Sequence, residues 1–204
     1  MPRLKDSTRL ERRRRIAAAA LECFAANGIG GTSMADIVEA SGLSSGAIYS
    51  HFDSKADLLR YVMSSMLEER FSAVAAGPDG PAPVVTPDEL LARLLEGPSA
   101  DRGRTSVLVQ AWGEIARDGS LAAVAEENLA RLRDALVSAL APWAGHRAPP
   151  ERAAAEAAHA ADWLVAVTFG YATVIALQPS GEPAGFRSNL GAAARLLSSG
   201  ELPR

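Results

Sequence analysis

Apolar residues recur every three or four positions along nearly the whole chain, the period of amphipathic helices. Ile16, Ala19, Ala20, Cys23 and Phe24 form one stripe, which predicts a first helix from Thr8 to Asn27, stopping at Gly28-Ile29-Gly30-Gly31. Met34, Ile37, Val38 and Ala40 share a face in a short second helix, and Ala47, Ile48 and Phe52 repeat the spacing in a third. Leu58, Leu59, Val62, Met66 and Phe71 mark a fourth over 54–76. Gly77–Pro87 holds four prolines and two glycines and cannot be helix, so it reads as a boundary or long loop. Thr86-Pro87-Asp88-Glu89 then opens a fifth helix with a cap, a first-turn proline and an acid at the third position, and Gly97-Pro98 should end it. Leu108, Ala111, Trp112 and Ile115 predict a helix over Thr105–Arg117, broken by Asp118-Gly119-Ser120. Further helices are expected over Leu121–Leu140, ending at Pro142, over Glu151–Leu177, and, after a turn at Pro179–Gly185, over Phe186–Ser198. Strand-like alternation with hairpin turns is absent, so the fold class is all-α with about nine helices.

The densest signal lies between Thr32 and Leu58. Ser33-Met34-Ala35-Asp36 fits a capping box, in which the hydroxyl accepts from an orphan N–H and the acid reaches back. Ser41-Gly42 ends that helix with a residue that tolerates positive φ. New starts follow at Ser44 and at Ser54-Lys55-Ala56-Asp57. Helix, glycine turn and short second helix make a helix-turn-helix, whose second helix can enter a DNA major groove. Ser44 sits where a cap belongs, with its amide suited to a phosphate oxygen. Ser45, Ala47, Ser50 and His51 alternate with buried Ile48 and Phe52 and so face outward, while Gly46 admits close backbone approach. Thr32 and Ser33 can donate to the same phosphate backbone. The outward side chains are short, so direct base reading is modest and includes methyl contact from Ala47 to thymine.

Gly42, Ser44, Gly46, Ile48, Tyr49, His51, Phe52, Lys55 and Leu58, preceded by Phe24, Gly28, Thr32 and Ile37, resemble the tetracycline-repressor (TetR) family of bacterial regulators. The string G-x-I-Y-S-H-F-D-S-K-x-x-L, starting at Gly46, is highly specific to that family, and the motif covers roughly residues 9 to 60. Val38 and Ser41 stand where alanines are common, and Ser45 and Ala47 replace longer polar residues. The resemblance implies a DNA-binding domain over 1–53 and a helical effector-binding and dimerisation domain over 54–204, linked by the helix at 54–76. It also implies that Tyr49 and Lys55 contact phosphates, and that the last two helices pair with their copies in a four-helix bundle.

Charge fits this reading. The net charge is −3, yet residues 1–20 carry seven bases against two acids. A basic end on an acidic body suits a protein with one face turned to phosphate. Cys23 is the only cysteine, which excludes an intrachain disulfide and a thiolate metal site. It sits on an apolar stripe and reads as a small core residue. The N-terminus lacks a signal peptide's apolar core, and no stretch of about twenty apolar residues is free of charge. A cytoplasmic chain with no membrane partner is expected.

In the C-terminal part, wheel geometry places His159, Trp163, Ala166, Gly170 and Thr173 on one face of the long apolar helix. Leu164, Val167, Tyr171 and Ile175 lie on another, more apolar surface than one subunit can cover. Trp112, Trp163 and Phe169, with Met66, would line an apolar cavity whose polar handles are Gln110, His159 and Asp162. Aromatic residues at such spacing also suit a plain core. No catalytic constellation or cofactor motif is found: H-E-x-x-H and G-x-S-x-G are missing, and the glycines at 28–31 lack a dinucleotide fingerprint. The expected protein is therefore not an enzyme and needs no cofactor. It is a homodimeric repressor of double-stranded DNA released from a palindromic operator by a small hydrophobic or amphipathic effector. The alternatives are a C-terminal part that only dimerises or binds a protein, and a helical enzyme with a DNA-binding head.

Overall fold

The computed structural model describes residues 3–75, 84–178 and 180–199, with the side chains of 3–7, 67–75 and 120 left aside. Nine helices and no strand are found among the described residues: α1 (Arg3–Gly31), α2 (Met34–Ser41), α3 (Ser45–Tyr49), α4 (Lys55–Ala75), α5 (Pro87–Ala100), α6 (Arg102–Ile115), α7 (Gly119–Arg147), α8 (Pro150–Leu177) and α9 (Phe186–Ser199). The all-α architecture matches the sequence pattern.

Several boundaries differ. α1 begins at Arg3, ahead of the expected start at Thr8, and runs on past Asn27 with a kink at Gly28, whose φ of 77° only glycine adopts without strain. Pro98 does not end α5; it lies inside the helix, buried, and its carbonyl accepts from the Thr105 hydroxyl at 3.2 Å. Pro142 likewise sits within α7, which continues to Arg147. A proline removes one N–H, and the last turns of α7 offset that loss by burying Trp143 and Ala144. The expected loop at Gly77–Pro87 falls largely outside the described residues, as does the side chain of Phe71.

Two hydrophobic clusters organise the described helices. One gathers Phe24 and Ile16 of α1, Ile37 of α2, Ile48 of α3 and Leu58 of α4, and reaches Val107 and Ala111 of α6. The other joins α5, α7, α8 and α9 through Leu90, Leu136, Leu164, Tyr171 and Ala194. α4 spans both regions: its first turns complete the core beneath the helix-turn-helix, and Met63 faces the C-terminal helices. By length and composition α8 could cross a membrane, but it buries Ala157, Leu164, Tyr171 and Ile175 in the second cluster.

Candidate functional site

The caps read from sequence set the helix-turn-helix geometry. Ser33 accepts from the Asp36 N–H at 3.2 Å, and the Asp36 carboxylate accepts from the Ser33 N–H at 2.7 Å. These hydrogen bonds favour the ionised acid and hold the Asp36 carboxyl below its ordinary range. Gly42 closes α2 in the left-handed region, with φ of 63°. Ser44 caps α3 by accepting from the Ala47 N–H at 3.3 Å. Buried Ile48 and Phe52 pin α3 to the core and turn Ser44, Ser45, Gly46, Tyr49 and Ser50 to solvent. Ala47 is half-buried, and the Ser50 hydroxyl donates back to the Ala47 carbonyl at 2.7 Å.

Other predicted contacts point inward. Thr32 is buried, and its hydroxyl lies 2.8 Å from the Gly28 carbonyl and 3.1 Å from that of Cys23. The Lys55 ammonium donates to the carbonyls of Ile29 and Thr32, both at 2.9 Å, and so ties the head of α4 to the end of α1. His51 is partly buried, with Nδ1 shielded from solvent and unpartnered among the described residues. Burial first, then the charges of Arg9, Arg13 and Arg12, holds its pKa below the ordinary 6.5.

Two arginines of the basic segment serve the fold, a role the sequence reading missed. The Arg13 guanidinium lies 4.7 Å from the Phe52 ring centre and 4.6 Å from that of Tyr61, cation–π contacts that tie α1 to the turn before α4 and to α4 itself. Arg15 grips the Ser41 carbonyl with Nε at 3.1 Å and Nη2 at 2.8 Å. Charge counting cannot separate these from phosphate-facing bases. Cys23 is partly buried, and burial, then Asp36 and Glu22, raises its thiol pKa, which favours the inert form.

The C-terminal part contains a cavity of about 340 Å³, lined from five helices. Its wall includes Met63 of α4, Leu94 of α5, Trp112 of α6 and Phe169 of α8, with the Trp112 and Phe169 rings stacked at 5.1 Å and 12°. α7, absent from the sequence-based lining, contributes Glu126 and Leu129. Of the seven lining residues expected from sequence, Trp112 and Phe169 are brought together there. Met66 instead faces a groove between α1 and α4. Gln110 accepts from the Ile29 N–H at 3.0 Å. His159 and Asp162 are exposed, and Asp162 pairs with Arg133 at 2.5 Å rather than with His159. Trp163 packs on the second cluster. The helical wheel placed these residues correctly around the axis but could not say which arc of α8 meets a neighbour.

The sequence model for bacterial regulatory proteins of the tetR family matches residues 16–62, the segment that holds the helix-turn-helix. The regulator TtgR of Pseudomonas putida is 41% identical over 58 residues, a match that spans 28% of each chain. The repressor Rv1474c of Mycobacterium tuberculosis is 30% identical over 148 residues, covering 66% of this chain and 73% of the relative. The chain belongs to the TetR family. A crystal structure of a transcriptional regulator from Rhodococcus sp. Rha1 shares the fold, with a TM-score of 0.70 at 21% identity over 92% of this chain and 94% of the other. A TetR-family member is a transcriptional regulator, and the two-part layout of helix-turn-helix and C-terminal helices is the family's own.

Proposed function

We propose that this TetR-family chain works as a homodimeric repressor, whose α3 helices enter successive major grooves of a near-palindromic operator. The observation that carries the reading is the outward face of α3: Ser44, Ser45, Gly46, Tyr49 and Ser50 are open to solvent on a helix pinned from beneath by Ile48 and Phe52. Ser33, Ala47 and His51 flank that face, and the basic α1 supplies the favourable field. Thr32 and Lys55 set the angle between α1, α2 and α4 and so position the contacts. Residues 1–53 form the DNA-binding unit and 54–204 the effector and pairing unit. Repression has a precedent in Rv1474c, which is named a transcriptional repressor. A cytoplasmic location follows from this role.

Pairing uses the arc of α8 that the single chain leaves uncovered, His159, Ala166 and Gly170, together with Leu177 and Leu196, which are 69% and 43% exposed. A small hydrophobic or amphipathic effector enters the cavity and moves α4 through Met63. A coupling of about 1–3 kcal/mol would change operator affinity some 5–150-fold. Footprinting on the DNA flanking the chain's own gene tests this, with two protected half-sites about one helical turn apart expected. Binding without sequence preference would defeat the operator reading.

A further inference from the structure

The cavity wall carries three features beyond its apolar character. Trp112 and Phe169 present a stacked aromatic surface. Glu126 and Leu129 line the cavity and are exposed, so they mark its mouth and place a carboxylate there. Thr168 lies on the wall and is 4% exposed, and its hydroxyl has no hydrogen-bond partner among the described residues. A buried hydroxyl without a partner is costly, and threonine in a helix has two accessible χ1 rotamers that place Oγ1 in different directions. A change of rotamer would let Oγ1 meet a bound molecule and gain the partner it lacks.

Resting on the reading of this cavity as an effector site, we propose that it selects a flat aromatic molecule carrying one cationic nitrogen. The ring lies against the Trp112–Phe169 surface, the cation faces Glu126, and a polar atom satisfies the Thr168 hydroxyl. Aromatic faces attract a cation electrostatically, and a carboxylate at the mouth adds to that attraction. An anionic ligand meets the opposite field and loses its hydration on entering. The volume falls at the lower end of the 300–1,000 Å³ common for small-molecule sites, which suits two or three fused rings rather than a long chain.

Three probes that share one ring system test the charge preference on the full chain: 2-naphthylmethylamine, 2-naphthylmethanol and 2-naphthoate, titrated by calorimetry at pH 7. The amine should bind at least about threefold tighter than the alcohol, and the naphthoate at least about tenfold more weakly than the alcohol. Glu126→Gln, at an exposed position, should bring the amine down to the alcohol's affinity. Thr168→Val keeps the shape and should weaken the alcohol severalfold while leaving the free protein's Tm unchanged or higher. A structural role for the hydroxyl would lower that Tm instead. Naphthoate binding as tightly as the amine, an unchanged order in Glu126→Gln, or no binding by any probe overturns the ligand class. Naphthoate that binds tightest and releases operator DNA leaves the effector reading standing while the ligand class falls. The expected order of binding without any change in operator affinity does the reverse.

Discussion

The side-chain carbonyl of Gln110 accepts a hydrogen bond from the backbone N–H of Ile29 at 3.0 Å, which joins the cavity-lining helix α6 to the end of α1. Ile29 is held from its other side, since its carbonyl accepts from Lys55 at 2.9 Å. The joint sits just after the Gly28 kink, where an added Cβ would stand 3.1 Å from the Gln110 oxygen. One short segment thus feels α6, α4 and, through Thr32, the start of α2.

Gln110→Ala should therefore weaken communication more than binding. The change leaves the Ile29 N–H without its partner and should cost about 1–2 kcal/mol of stability. Ligand affinity should hold, because Gln110 is not part of the cavity wall. The ratio of operator affinities with and without ligand should fall toward one, as read by fluorescence anisotropy. Gln110→Glu keeps an acceptor oxygen and should restore part of the ratio. An unchanged ratio in the alanine variant would mean that α6 signals by another route.

Lys55 and Tyr49 should separate positioning from contact. Lys55→Met removes two hydrogen bonds from an ammonium to carbonyls, so Tm should drop by several degrees and operator affinity should fall with it. The slope of affinity against salt should change by much less than the ~0.9 expected for a lost phosphate contact. Tyr49 is 49% exposed, so Tyr49→Phe should leave Tm alone and cost about 0.5–1.5 kcal/mol of operator binding. A full unit of slope lost in the lysine variant would return Lys55 to the interface.

The contrast between these two residues shows what was legible in the sequence. Ser33, Gly42, Ser44 and Thr86 were identifiable because capping depends on neighbours within four residues. The core positions Phe24, Ile37, Ile48 and Phe52 followed from helical period alone. The inward contacts of Lys55, Gln110 and Arg13 were not legible, because each reaches a partner distant in the chain: 26, 81 and 39 or 48 residues away. Periodicity fixes a residue's angle about its own helix and says nothing about what stands opposite. The same blindness hid α7 from the cavity lining. Pro98 and Pro142 misled for another reason, since propensity rules for proline yield when the surrounding helix buries enough apolar surface.

His51 should make stability fall in mild acid. Its folded pKa lies below the ordinary 6.5, while the unfolded chain titrates near that value. Between the two, the unfolded state binds more protons, so stability declines as pH drops through that window and levels off below the folded value. The neighbouring charges of Arg9, Arg13 and Arg12 act in the same direction as burial. His51→Gln should remove this part of the decline, measured by urea melts from pH 7.5 to 5. An identical pH profile in the variant would show that the imidazole titrates normally.

Gly170→Arg offers a clean test of pairing through α8. A Cβ built on Gly170 meets nothing within 4 Å, so the single chain can accept a longer side chain there without repacking. Ala161, by contrast, is fully buried within the chain, and enlarging it would disturb the subunit itself. If the open arc of α8 lies against its copy, Gly170→Arg places two like charges and two bulky side chains into an apolar contact. The variant should sediment as a folded monomer with a helical circular-dichroism spectrum like that of the parent. Operator affinity should fall by orders of magnitude, because one subunit then grips a single half-site without its partner. A dimer of unchanged strength would move the pairing surface away from this arc of α8, whereas loss of helical signal would mean that Gly170 is needed within the subunit.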